Sequence, residues 1–144
     1  MIVSFGIAGA FFPGSESELN ADCLHDLMDC LVNLNRAYLR SMARQGLTVP
    51  FIYDCGIVYG RTLSWDTIPD LLALGHGDCK SLSAMFCAQA LEVGHACKPV
   101  FRWYVRPKDG GLDFHILVMT DGEFSYRGRF FELYHDPSKV LGMK

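Results

Sequence analysis

The chain predicts an α+β domain, with helices first and a small antiparallel sheet after them. Two changes in apolar spacing and a set of turn signals carry that prediction. Leu24, Leu27, Met28, Leu31, Leu34, Tyr38 and Met42 recur at steps of three and four, the period of one helix face. After Gly94 the period drops to two. "KPVFRWYVR", "DFHILVMT" and "RFFELY" then read as three strands rich in aromatic and β-branched residues. Asp109-Gly110-Gly111 and Asp121-Gly122 supply the turns between them.

Taken in order, residues 1–14, "MIVSFGIAGAFFPG", form an apolar arm that Pro13-Gly14 stops. It has no basic leader, so it does not read as a secretion signal, and it is too short to span a bilayer. Each large apolar side chain in it is worth about 1.5–3 kcal/mol when buried, so the arm is expected to pack on the body or on a partner. Residues 15–46 read as one long amphipathic helix, with Ser and Asn as caps and Gly46 at its end. "LTVPFIYDCGIVYG" is a connector with a short extended stretch. "SWDTIPDLLALG" is a short helix with Pro69 in its first turn and Gly75 at its end. The next helix runs over 79–93, with Asp78 as N-cap and Gly94 as stop. Leu82, Met85, Phe86, Gln89, Ala90 and Val93 lie along one side of it.

The whole chain, 1–144, is expected to be a single domain large enough to bury a core without staples. Half of its residues are hydrophobic and 20% are charged, which excludes a largely disordered chain. A net charge of −3 argues against nucleic acid as a partner. The local basic cluster Lys98, Arg102, Arg106 and Lys108 reads as the polar face of a strand. Cys23, Cys30, Cys55, Cys79, Cys87 and Cys97 form no C-x-x-C pair and read as buried free thiols of a reducing compartment.

Three polar residues interrupt this pattern. Cys79 opens a helix, His115 sits within an apolar strand, and Asp136 follows the last strand. A thiol, an imidazole and an acid on three such elements make a nucleophile, base and orienter layout. A helix N-terminus and a nearby imidazolium lower a thiol pKa from its free value of ~8.5 by one to several units. His115 would hold the proton and return it to a leaving amine, while Asp136 would fix the imidazole tautomer. The backbone N–H of Cys79 is the natural first donor to an oxyanion.

With these residues in view, "GDC" opening a helix, a downstream strand histidine and a later aspartate resemble the transglutaminase-like superfamily of cysteine hydrolases and acyltransferases. "YDCGIVYG", "SWDTIPDLLALGHGDCKSLSA" and "DPSKVLGM" resemble, more narrowly, small transglutaminase-like proteins encoded by tailed phages. The resemblance covers 51–143. It implies a papain-like fold and a Cys79–His115–Asp136 triad that acts on an amide of a protein or peptide through a thioester. Water would then make the protein a peptidase or amidase, the outcome expected here, and an amine would make it a cross-linker. It also implies a setting in the host cytoplasm or the virion. Members of the family often carry G-D-C-E-D, whereas this chain has Lys80-Ser81 after the cysteine. The Lys80 charge would favour a neighbouring thiolate. That departure and the apolar arm support a rival reading, a non-catalytic virion or assembly component that contacts other virion proteins through the arm.

Other residues have plainer readings. His135 is an alternative base at a strand end. Asp113 and Asp78 are alternative orienters of His115. His76 and Cys79 form H-x-x-C, and with Cys87 or His95 one can draw a zinc site, but the spacings match no familiar pattern and no metal or cofactor is expected. Cys87 and Cys97 read as core. Trp65 and Tyr59 read as core first and as cleft lining second.

Overall fold

The computed structural model describes residues 18–122 and 124–144. It is a mixed α+β structure, with helices through the first two-thirds, its main sheet after them and one short helix at the end. The apolar arm at 1–14 lies outside the described residues.

Helix α1 (Glu18–Arg44) turns its Met28, Leu31 and Val32 face inward and ends in a turn at Gly46, whose φ of +72° suits glycine. A short 3₁₀ turn at Ile52–Asp54 leads to strand β1 (Val58–Tyr59). Helix α2 (Ile68–Leu74) carries a proline in its first turn and ends at a left-handed Gly75, as its sequence predicts. Thr67, at its N-cap, makes no side-chain cap. The Ile68 N–H is instead taken by the buried Asn35 Oδ1 of α1 at 2.9 Å, so a long-range side chain satisfies the exposed end of the helix. Strand β2 (His76–Gly77) pairs in parallel with β1 and leads straight into α3 (Cys79–Glu92).

Helix α3 differs from the one-sided helix that its sequence suggests. Residues 81–90 are all buried, and Val93, expected on the inner face, is exposed just beyond the helix. Small residues (Ser81, Ser83, Ala84, Ala88, Ala90) interleave with Leu82, Met85 and Phe86, so neighbours can approach on every side. α1 lies along it, with Arg36 and Arg40 bonded to Glu92 near its C-terminal end.

The sheet follows. Strand β3 (Cys97–Val105) and strand β4 (Leu112–Thr120) pair antiparallel over nine residues, joined by the predicted Asp-Gly-Gly turn. Phe101, Ile116 and Val118 face the core. Lys98 and Arg102 sit on the exposed side of β3, as expected, whereas Arg106 and Lys108 belong to the turn, where Arg106 bonds Asp109. The third predicted strand, "RFFELY", is broken in two. Strand β5 (Phe124–Tyr126) and strand β6 (Arg129–Phe131) form a separate hairpin, and only β7 (Tyr134–His135) joins the main sheet, beside β4. The break lets Phe131 enter the core while Thr120 N bonds Leu133 O at the sheet edge. A single turn of helix, α4 (Pro137–Val140), closes the chain.

All six cysteines are free, and only Cys87 is buried, so the expectation of buried thiols holds for one of them. Cys23 and Cys30 lie toward the outer side of α1, where the inner stripe is too narrow to take them. Cys97 is part-buried and packs against the core, where its sulfur meets that of Cys87 at 3.0 Å. Among the described residues no helix is long and apolar enough to cross a membrane.

Gln89 shows how α3 fixes the connector. Its amide accepts from Ile52 N at 3.0 Å and donates to Pro50 O at 2.9 Å, out of contact with bulk water. Gln89→Leu keeps the volume but strands both groups, and is expected to cost about 2–4 kcal/mol in urea unfolding with an unchanged slope. Arg40→Ala, at an exposed ion pair, is expected to cost no more than about 1 kcal/mol in the same measurement.

Candidate active site

The loop before α3 sets the position of Cys79. Gly77 has no room for a side chain, because a Cβ there would lie 2.3 Å from Leu71 Cδ2 of α2. Asp78 is extended and caps the helix, its Oδ1 accepting from Lys80 N at 3.1 Å. Cys79 is therefore the first residue of α3, where a backbone N–H has no carbonyl of its own helix to meet. Strand β1 grips this loop from one side. Val58 N bonds Gly75 O at 3.1 Å and Gly60 N bonds Gly77 O at 2.9 Å. Tyr59 N, pointing the other way, bonds Leu141 O at 2.8 Å.

His115 comes from β4. One turn after Cys79, the buried Ser83 hydroxyl donates to Ile116 O at 3.2 Å, which fixes the helix against the strand beside the imidazole. The pairing of Val118 with His135 brings the end of β7 alongside β4, and Asp136 follows at once. His115 Nε2 bonds Asp136 Oδ2 at 2.8 Å, and Asp136 Oδ1 accepts from Ser138 N at 3.1 Å as the N-cap of α4. The carboxylate is thus held at both oxygens. Neither Asp78 nor Asp113 takes its place against the ring.

Cys79 also favours the protonated His115 ring, less strongly than Asp136 does. With Nε2 occupied by the carboxylate, Nδ1 is the nitrogen left for the thiol. Bonding to Asp136 first, and to Cys79 second, outweighs burial and raises the His115 pKa to about 9. Burial pushes the Asp136 carboxyl up, but the bond and charge of His115 and the N–H groups of α4 hold it below its usual range. Both side chains are mostly covered, at 19% and 15% exposure. Cys79 and His115 open on a cleft of about 550 Å³, within the size of ordinary ligand sites.

The sequence misplaces some neighbours. The charge of Lys80 is spent elsewhere: its ammonium bonds Asp78 and the Thr62 carbonyl and lies 5.9 Å from the Trp65 ring. Ser81 is fully buried and its hydroxyl accepts from Asp66 N at 2.9 Å, so it organises the loop rather than the cleft. His135 does not line the cleft. Its ring bonds the Tyr53 hydroxyl and packs between Phe86 and the edge of Phe131, and burial lowers its pKa to about 4. The drawn zinc site does not assemble, since His76 turns to Leu74 O while Cys87 meets Cys97. Among the described residues no group of three or more metal-ligating side chains gathers. Trp65 packs against the core, and Tyr59 both packs there and lines the cleft. Arg61, Leu63, Tyr104 and Met143 line it too, unmarked by sequence reasoning. The β3–β4 register pairs Tyr104 with Asp113, two residues from His115, and a hairpin alignment on the Asp-Gly-Gly turn would have found that pair. Arg61 sits in an aperiodic connector that offers no such signal.

The two part-buried histidines bend the pH dependence of stability in opposite directions. His115 binds its proton more tightly in the fold, so its contribution is full below its ordinary value of 6.5 and is lost as pH rises through about 9. Asp136, with a lowered value, contributes above its ordinary 3.8 and loses that contribution in acid. His115→Gln is therefore expected to cost most between these limits, at most ~3 kcal/mol, and to cost little above pH 9. His135 acts the other way: the unfolded chain takes up its proton as pH falls below 6.5 while the fold resists it down to about 4. His135→Phe is expected to flatten that acid-side loss. Urea midpoints of the three proteins across pH 4–10 check both signs.

Comparison with known proteins returns no matching family model, no matching curated protein and no matching solved structure.

Proposed function

We propose that the chain is a transglutaminase-like cysteine hydrolase of papain-like fold, acting on an amide of a protein or peptide. One observation carries the reading: a helix-start cysteine, a carboxylate-held imidazole and an open cleft converge at Cys79. The thiol proton passes to His115, and the sulfur attacks the amide carbonyl. The Cys79 N–H, free of any carbonyl of its own helix, donates to the oxyanion that forms. His115 protonates the leaving amine, and the C–N bond breaks to leave a thioester. Water, deprotonated by His115, then attacks the thioester and releases the acid and the free thiol. Asp136 keeps Nδ1 aimed at the sulfur throughout. The sequence blocks that resemble phage-encoded relatives support a role in the infected host cytoplasm or the virion.

The thiols provide the test. Cys79 is expected to react with limiting iodoacetamide near neutral pH well before the exposed Cys30, and to form an acetyl-enzyme with p-nitrophenyl acetate. His115→Gln is expected to slow both by at least ~100-fold, and Asp136→Asn by a smaller factor that varies with pH. A Cys79 no faster than Cys30, in a folded sample, would overturn the enzyme and leave the binding scaffold as the role of this fold.

A further inference from the structure

Away from the cleft, two thiols stand against each other. Cys87 lies within α3 and is fully buried, and Cys97 is the first residue of β3. The chain between them reverses where the helix ends. His95 N bonds Ala90 O at 3.0 Å, and Gly94 takes a φ of +93° that suits glycine. Strand β3 therefore starts beside the helix it has just left. The two sulfurs meet at 3.0 Å, although their residues are ten apart in the chain.

The pair is asymmetric. None of the Cys87 surface is exposed, whereas Cys97 is only part-buried. A covalent S–S bond is about 2.05 Å long, so joining the sulfurs takes an approach of about 1 Å. Among the described residues no third metal-ligating side chain gathers with them, which leaves the pair the chemistry of a dithiol.

We infer that Cys87 and Cys97 form a thiol–disulfide exchange site whose reagent is a small disulfide such as oxidised glutathione. The reagent meets the part-exposed Cys97 first. The Cys97 sulfur attacks one sulfur of the reagent and the reagent's S–S bond breaks. One small thiol leaves with the Cys97 proton, and a mixed disulfide remains on Cys97. Cys87 then attacks the Cys97 sulfur from the core side. The mixed bond breaks, the second small thiol leaves with the Cys87 proton, and the Cys87–Cys97 disulfide closes. Two electrons pass from the protein to the reagent, which departs as two thiols. An excess of small thiol runs the same steps backward. Burial, and then the bond to Cys97, hold the Cys87 thiol well above its ordinary pKa, so it does not compete for the first attack. The closed pair ties β3 to the C-terminal half of the helix that Cys79 begins. The domain thereby has a reduced form and a stapled form, and the thiol poise of its surroundings selects between them. None of this depends on the chemistry proposed for Cys79.

Mapping the thiols of the folded protein tests the site. Wild-type protein is incubated with oxidised glutathione, blocked with N-ethylmaleimide under denaturing conditions and digested with trypsin. The peptide 81–102 holds Cys87 and Cys97 and no other cysteine, and Cys79 falls on the peptide before it. Peptide 81–102 is expected to emerge unblocked and two hydrogens lighter, and dithiothreitol is expected to restore both hydrogens. In Cys87→Ala protein, Cys97 should keep its glutathione. In Cys97→Ser protein, Cys87 should be modified at least ~10-fold more slowly than Cys97 is in Cys87→Ala protein. Oxidised wild type should melt about 5 °C above the reduced form, and treated Cys87→Ala protein should show no such gain. A peptide that stays reduced, or that ends with glutathione on Cys97 beside a free Cys87, overturns the site. So does a melting temperature that falls on oxidation, because the bond would then form only from an opened chain.

Discussion

A helix that is buried on every side for ten residues must be surrounded, and α3 imposes that condition on the whole chain. α1 covers one side, β3 and β4 another, the connector around Phe51 and Ile52 a third, and α2 and α4 pack against it as well. Three of its polar side chains each make a bond outside the helix: Ser81 to the 64–66 loop, Ser83 to β4, Gln89 to the connector. Apolar burial supplies the drive for this packing, and these bonds fix which neighbour goes where. Cys79 is the first residue of the same helix, so its position is as well determined as the core.

The acid and the imidazole are determined differently. Asp136 caps α4 with one oxygen and holds His115 with the other, so a local helix end and a distant strand share one carboxylate. Rotation of that carboxyl would lose both bonds together. At the rim the opposite choice is made, where Asp78 spends its charge on Lys80 beside Cys79. The pair leaves the first turn of α3 with no net side-chain charge from its rim, despite the lysine that stands there.

Much of this was legible in the sequence because it depends on short-range rules. The period of three and four gave α1, proline and glycine bounded α2, and Asp78 marked the start of α3. The positions of Cys79, His115 and Asp136 on their elements were readable for the same reason, since each is a polar residue where the local pattern wants an apolar one or a cap. What failed depends on distant partners. "RFFELY" has strand character throughout, yet Phe131 is drawn into the aromatic cluster of Phe51, Tyr53 and Phe86, and the strand breaks there. His135 looked like a base only until that same cluster removed it from water. Lys80 is adjacent to Cys79 in sequence, but its charge follows Asp78 and a carbonyl eighteen residues upstream.

Strand β1 is two residues long, yet its backbone reaches both the loop before Cys79 and the turn after Asp136. Its N–H groups point alternately to the loop that delivers Cys79 and to the turn that follows Asp136. Because the grip is peptide to peptide, the exposed Val58 can vary freely, whereas Tyr59 also packs against the core and lines the cleft. What cannot vary is the presence of a donor at each step, so proline is the substitution this stretch forbids. The position of Cys79 relative to Asp136 is thereby written in backbone donors, and exchange of the exposed Val58 for any residue that keeps its N–H would leave that geometry untouched.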